Sequence, residues 1–261
     1  KSNEATACTS HLRSGIFGPV LGQQLLVLAD AHLGITDPAV EEALLDFLHQ
    51  APELGDCLLV NGDLFDFWFS YRRVIPREGF AVAAALGALR RLMPVVMTGG
   101  NHDRWGEDFW FRDLNIEFAP LELRFTVGQR QVLAVHGDGL LEQHWSAKLM
   151  HHITKNPLTV RTWRALHPDL GFWLVDKMSR VLGDTTRDPA VLARAAEWQK
   201  QWAANRLGED PDLGAVVMAH THRPALEEPT PGQIYLNPGA WMEGYRYGVL
   251  TDEGGTLATF R

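Results

Sequence analysis

Along roughly the first hundred residues, short apolar runs alternate with longer stretches of helical periodicity. Gln24 to Ala29 carries an apolar run closing at Asp30, the pattern of a strand covered on both faces. Asp37-Pro38 then offers an N-cap followed by proline at the first helical position, and Val40, Leu44, Leu45 and Leu48 follow at helical spacing. Cys57 to Val60 predicts a second buried strand, Phe80 to Leu92 an Ala/Leu-rich helix, and Pro94 to Thr98 a third strand. Strand and helix alternating in this way imply parallel strands joined by crossovers.

The rhythm changes from Leu121. Leu121–Val127 and Gln131–His136 flank Gly128-Gln129 and predict a hairpin. Ala215–Ala219 and Gln233–Asn237 read as further strands, and Gly244–Phe260 as a closing hairpin turning at Glu253-Gly-Gly255. Between Asp138 and Ala215 the strand pattern stops for about seventy residues of helical character, clearest over Leu192–Leu207. This stretch is rich in Trp, Leu and Val, so it is expected to be an insertion on the core fold rather than a linker.

A chain of 261 residues, 46% hydrophobic and 21% charged, can bury a sizeable core as one domain. Its net charge of −8 argues against general nucleic-acid binding, and part of that acidity is expected to face bound cations. No apolar run reaches the length of a membrane-spanning helix. Lys1–Ser14 is polar and lacks the apolar core of a secretory signal; residues 1–22 read as a loosely ordered leader to a domain spanning 23–261. Cys8 and Cys57 form no spacing motif, Cys57 being expected as a buried small hydrophobe, and the location expected is cytoplasmic, at most peripheral on the inner face of the membrane.

Five short blocks then stand out, each closing a strand-like run: Asp30-Ala-His32, Gly62-Asp63-Leu-Phe-Asp66, Gly100-Asn101-His102-Asp103, His136-Gly-Asp138 and His220-Thr-His222. Asp30 and His32, two apart at a strand end, can point to one side and chelate one ion. Asp63 is a natural bridge, since one carboxylate can give an oxygen to each of two metals. Asn101 offers a neutral amide oxygen, and His136, His220 and His222 offer imidazole nitrogens. The set contains no cysteine, which puts Mn²⁺ or Fe ahead of a purely structural zinc. Two divalent ions ~3.5–4 Å apart would lower the pKa of a shared water and neutralise phosphoryl charge.

These blocks resemble the calcineurin-like metallophosphoesterase superfamily, whose pattern runs Asp-x-His, Gly-Asp-x-x-Asp, Gly-Asn-His-(Asp/Glu), a lone His, then Gly-His-x-His. All five occur here in order, with Ala219 where the family usually has glycine. The resemblance implies Asp30, His32, Asp63 and His222 around one metal, and Asp63, Asn101, His136 and His220 around the other. It implies His102 as the catalytic histidine, protonating the leaving oxygen or stabilising the transition state, with Asp66 orienting it. It further implies two packed mixed β-sheets flanked by helices, a four-layer αββα sandwich of the α/β class. The helical cap is expected at about residues 140–210, and two metal ions as cofactors, Mn²⁺ ahead of Fe or Zn.

Gly62-Asp-Leu-Phe-Asp-Phe-Trp68, His136-Gly-Asp-Gly-Leu140, His220-Thr-His-Arg-Pro-Ala225 and Gly239-Ala-Trp241 are similar, within that superfamily, to the UDP-2,3-diacylglucosamine hydrolases of lipid A biosynthesis. Those enzymes carry a comparable helical insertion and cleave a pyrophosphate, releasing UMP. Their Gly-Asn-Arg-Asp is Gly100-Asn-His-Asp103 here, and Asn237-Pro238 is closer to other phosphoesterases. A phosphodiesterase or phosphatase acting on a soluble nucleotide or phosphoprotein stays open as the alternative, and a non-catalytic binding module as a distant third.

Other features carry two readings each. Phe65, Phe67, Trp68 and Phe69 form either a substrate wall or core packing beside the blocks. His49, His144, His151, His152 and His167 are not expected as ligands. Arg72, Arg73 and Arg77 follow the second block and Arg223 the last; each is either ordinary surface or a contact to anionic substrate. From Trp145 to Pro168 there is no acidic residue, while Lys155, Arg161 and Arg164 interleave with apolar positions. That stretch is either a solvated cap face or a surface for a phosphorylated amphiphile or an anionic membrane.

Overall fold

Leu25 and Val27 face one side of their strand and Leu26 and Leu28 the other, yet all four are fully buried, so this strand is covered on both faces. The computed structural model describes residues 18–71, 73–139, 157–182 and 189–261. In chain order its elements are β1 (Val20–Gly22), β2 (Leu25–Leu28), α1 (Pro38–Leu54), β3 (Cys57–Asn61), α2 (Phe80–Leu89), β4 (Val95–Thr98) and α3 (Glu107–Leu114). There follow β5 (Glu117–Ala119), β6 (Glu122–Val127), β7 (Arg130–Val135), α4 (Pro157–Ala165), α5 (Pro168–Leu182) and α6 (Pro189–Glu209). The chain closes through β8 (Leu213–Val217), β9 (Ala225–Thr230), β10 (Gln233–Asn237), β11 (Arg246–Leu250) and β12 (Gly255–Thr259).

Two six-stranded mixed sheets result, ordered β12-β11-β2-β3-β4-β5 and β1-β6-β7-β8-β10-β9. In the first, β2 through β5 run parallel and β11 pairs antiparallel with β2. In the second, the β6–β7 hairpin is antiparallel while β7, β8 and β10 run parallel. Leu25, Val27, Cys57 and Leu59 of the first sheet meet Phe125, Val132, Val217 and Leu236 of the second in the inner layer. The alternate residues, Leu26, Leu28, Val60 and Met97, pack outward on α1 and α2. Leu133, Val216 and Tyr235 do the same against Ala203 and Leu207 of α6. The expected four-layer αββα sandwich is therefore present, its period-2 alternation splitting each strand between two cores.

The main strands, α1 and both hairpins fall where the hydrophobic pattern puts them. α1 begins as its sequence dictates: the Asp37 carboxylate accepts from the Ala39 N–H at 2.9 Å ahead of Pro38. Elements the pattern does not reveal are short or peripheral. β1 enters the sheet beside β6, ahead of the domain start expected at residue 23. β9 carries Glu227, Glu228 and Pro229 on an exposed edge, where polar residues and proline discourage further pairing. α3 lacks a side-chain N-cap, and β5 is three half-buried residues beside it. Cys57 is a buried free thiol, pushed above its ordinary pKa by burial and then by Asp56. Residues 1–17, Arg72, 140–156, with Lys155, and 183–188 lie outside the described residues. Replacing Asp37 by Ala should cost about 1 kcal/mol of stability, read as a lower denaturant midpoint at unchanged slope.

Candidate metal centre

Every block lies just beyond the carboxyl end of a strand. Asp30 and His32 follow β2, Asp63 follows β3, Asn101 to Asp103 follow β4, His136 follows β7, and His220 and His222 follow β8. Both sheets deliver donors to one end of the sandwich. The turns that do so are unusual: Asp30, His32, Asp63, His220 and His222 all have positive φ, between 45° and 71°. Non-glycine residues hold this left-handed conformation only where the surroundings enforce it. At Gly62, with φ of 83°, a Cβ would overlap the His136 ring, and at Gly100 it would overlap the Asp63 carboxylate, so both positions need the missing side chain.

The two central carboxylates are gripped from opposite directions. Asp30 Oδ2 accepts from the His220 N–H at 3.0 Å, and Asp63 Oδ1 accepts from the His102 N–H at 3.0 Å. Each acid keeps its other oxygen for the histidines. Asp30 Oδ1 lies 3.7 Å from His222 Nε2 and 4.0 Å from both His32 Nε2 and His136 Nε2. Asp63 Oδ2 lies 3.1 Å from His136 Nε2 and 3.9 Å from His32 Nε2. Donor atoms of Asp30, His32 and His222 all fall within 4.8 Å of one another, and so do those of Asp63, His136 and His220.

The rings are aimed from behind. His136 Nδ1 donates to the Asn61 carbonyl at 2.8 Å. Asn61 in turn spans the sheets: its Nδ2 donates to the Val135 carbonyl at 3.2 Å, and its Oδ1 accepts from Thr98 Oγ1 at 2.7 Å. His102 Nδ1 sits 2.6 Å from the Asp66 carbonyl and 3.5 Å from the Asp66 carboxylate, so Asp66 holds this ring mainly through its backbone oxygen. Asp103 is a buried brace, accepting from Leu64 N–H at 2.8 Å and Gly100 N–H at 2.9 Å. Buried Arg104 pairs with Asp138.

Crowding so many titratable groups displaces their pKa values in opposing directions. Burial pushes Asp30 up to about 6, although His136 and His222 pull it down. Burial also drives His32 down to about 3 and His220 to about 4, the latter helped by His136. Asp63 goes the other way: burial would raise it, but His136 and His102 hold it well below the carboxylate range. For His136 burial would lower the ring, and the adjacent Asp63 overrides this to reach about 10. His102 is likewise raised against burial by Asp63 and Asp66. Charge is thus concentrated on an Asp63–His136 pair, flanked by histidines kept neutral.

The donors suit divalent cations. Asp30 Oδ1 and Asn101 Oδ1 are buried and have no hydrogen-bond partner, an unfavourable state for acceptor atoms unless a cation meets them. Asn101 therefore turns the amide oxygen it was expected to offer away from any protein donor. Not every expected site residue joins the cluster. Arg73, Arg77, Arg161 and Arg223 are exposed. The Arg164 guanidinium lies over the Phe69 ring at 5.9 Å, which places it on the cap–core contact. Of the aromatic block, Phe65, Trp68 and Phe69 are core. Only Phe67 is half-buried, touching Phe172 of α5 at 5.4 Å between ring centroids. Exposed His49 and His167 stay outside the cluster, as expected, and the other three histidines lie outside the described residues.

Besides Asn61, three supporting residues escaped the sequence. Glu243 lies 3.0 Å from His222 Nδ1. Buried Gln199 of α6 donates to the Ala219 carbonyl at 3.1 Å, and its Oε1 accepts from Thr221 Oγ1 at 3.4 Å. Asn237 adds a further bond to Ala219 at 3.3 Å. None belongs to a ligand-spacing pattern, and chain reversal alone brings them to the site.

The model of the calcineurin-like phosphoesterase family matches residues 24–224. Among curated proteins, the chain is similar to the UDP-2,3-diacylglucosamine hydrolase of Porphyromonas gingivalis, 27% identical over 218 residues that cover 74% of this chain and 81% of the relative. It is similar to the enzyme of the same name from Pectobacterium carotovorum, 26% identical over 233 residues, covering 84% and 91%. Among solved structures, a dimetal phosphatase from Danio rerio aligns with a TM-score of 0.45 at 13% identity, covering 93% of this chain and 100% of that one.

The His136 shift makes metal uptake a protonic event. With its pKa raised to about 10, His136 carries a proton at neutral pH, and a metal at Nε2 must displace it. Apparent affinity for Mn²⁺ should therefore rise with pH up to about 10. Titration calorimetry at mildly alkaline pH, in buffers of different ionisation enthalpy, should read about one proton released from this ring. A binding enthalpy indifferent to the buffer would mean that the ring is already neutral without metal, and would overturn the protonated state that Asp63 imposes on it.

Proposed function

The chain belongs to the calcineurin-like phosphoesterase family, and from that membership we propose hydrolysis of the pyrophosphate linkage in UDP-2,3-diacylglucosamine or a related nucleotide-linked amphiphile. The observation that carries the hydrolytic reading is the pair of ligand groups, Asp30–His32–His222 and Asp63–His136–His220, brought side by side with His32 near Asp63 and His136 near Asp30. The substrate is taken from the named function of the relatives. Asp30, His32, Asp63 and His222 would hold one ion, and Asp63, Asn101, His136 and His220 the second. Mn²⁺ heads the choice because the donors are carboxylate, amide and imidazole without thiolate. Such ions, when bound, neutralise phosphoryl charge and acidify water.

The chain's own residues supply the rest. His102 is the proposed proton donor: its Nδ1 donates to the Asp66 carbonyl, which leaves Nε2 to protonate the leaving oxygen. Asp63 and Asp66 favour the protonated ring that this role requires. The edge-to-face contact with His32, 4.9 Å between centroids, keeps His102 beside the first ligand group. Phe67 and Phe172 offer an apolar flank between core and cap for an acyl chain. Exposed Arg161, together with Lys155, would meet the anionic headgroup or membrane surface. Among the described residues no helix is long and apolar enough to cross a membrane.

One observation favours a soluble phosphodiester substrate instead. Arg164 is engaged with Phe69, which thins the basic face of the cap. The two readings separate on the product: the Mn²⁺-loaded protein should release UMP from the diacylated nucleotide sugar far faster than it cleaves bis(p-nitrophenyl) phosphate. The reverse preference would replace the lipid reading with the soluble one.

His102→Ala should lower kcat by ~10²–10⁴-fold with metal content unchanged. The loss should shrink on substrates that leave as p-nitrophenolate, which need little protonation; equal losses on good and poor leaving groups would count against proton donation.

Changing Lys155, Arg161 and Arg164 together to Gln should weaken binding to anionic vesicles, by ~1 kcal/mol per surface charge in low salt. It should raise KM for the amphiphile and spare the small diester. Vesicle binding and KM that stay at wild-type values would remove the membrane role.

A further inference from the structure

Among the histidines facing the two carboxylates, His222 has its outer nitrogen on another side chain's carboxylate. Its Nδ1 lies 3.0 Å from Glu243 Oε1, while Nε2, on the other edge of the ring, faces Asp30 Oδ1 at 3.7 Å. His136 of the opposite group has a backbone carbonyl in the same position. We propose that Glu243 is the positioning residue of His222, fixing its tautomer and strengthening it as a donor, so that the Asp30–His32–His222 group takes its ion more tightly than it would alone. This rests on the two-metal reading above and adds to it a residue outside the ligand set.

The backbone shows why Glu243 is held there. Trp241 is fully buried, and its indole N–H donates to the Val40 carbonyl at 3.2 Å. The turn it anchors is bonded to the strand end that carries Asp30: Trp241 N–H donates to the Ala29 carbonyl at 2.9 Å and Met242 N–H to the Asp30 carbonyl at 3.3 Å. Tyr245 N–H closes the turn onto the Trp241 carbonyl at 2.8 Å. Glu243 is thus held beside the Asp30 loop by the backbone of Trp241 and Met242 and reaches the β8 loop through its side chain. With Nδ1–H engaged by a carboxylate, the ring must present Nε2 as its lone-pair nitrogen. A full negative charge also stabilises the positive charge that the ring acquires on donating to a cation, more than a carbonyl dipole does.

The test is calorimetric titration of Mn²⁺ into metal-free protein, comparing wild type with Glu243→Ala and the near-isosteric Glu243→Gln. Wild type should take up two ions per chain. In Glu243→Ala one of the two steps should weaken by about 10–100-fold while the other keeps its affinity, with Glu243→Gln in between. Thermal melts of the metal-free variants should match wild type, since the Glu243 side chain is half exposed. Two unchanged steps in Glu243→Ala would overturn the proposal, and so would equal weakening of both, which marks general damage to the loops. A wild-type protein that binds no Mn²⁺ would sink the two-metal reading itself, an outcome distinct from either.

Discussion

Two backbone-to-carboxylate hydrogen bonds underlie the whole centre. Asp30 and Asp63 are both buried, and each has one oxygen tied to the N–H of a histidine from another strand end, His220 and His102 respectively. A buried carboxylate is tolerated only when it is paired or hydrogen-bonded. Here the grip comes from a different strand end in each case, so neither acid can be placed until β2, β3, β4 and β8 are in register. The free oxygens then face inward, and the histidines gather around them.

Asn61 makes that register common to both sheets. Its side chain reaches from β3 to Val135 of β7 and takes the Thr98 hydroxyl of β4, while its own carbonyl aims the His136 ring. A single buried amide thereby joins a parallel neighbour and the facing sheet at the level of the ligands. The left-handed turns belong to the same design. Five donor residues with positive φ store local strain that only a rigid surrounding sandwich can sustain. Rigidity is in turn what holds the charged Asp63–His136 pair beside neutral His32 and His220.

Much of this was legible in the chain. Strands buried on both faces read as unbroken apolar runs, and the metal blocks sit where those runs stop, so layers and ligand candidates could be read together. Leu25 to Leu28 is the clearest case, fully buried and followed at once by Asp30. What could not be read falls into two physical classes. β9 and β5 are edge or near-edge strands whose sequences answer to solvent as much as to the core, so Glu227-Glu-Pro229 gives no strand signal. Glu243, Gln199 and Asn61 act through contacts made only after the chain has folded back, and no local spacing marks them. The basic stretch is a different case. A basic stretch says nothing about which side chains are taken up in packing, as Arg164 is over Phe69.

The amide of Gln199 ties the inserted helices to the centre. It leaves α6 to hold the Ala219 carbonyl and the Thr221 hydroxyl, the backbone and side chain on either side of His220. A Cβ at Gly137, next to His136, would run into that same amide. With the Gln199 amide removed, the last histidine loop would keep only the Asn237 amide on Ala219 and Thr221 and the Asp30 carboxylate on the His220 N–H as its side-chain braces. A change in where α6 lies would therefore be felt at the loop that carries His220, although no residue of that helix is a ligand.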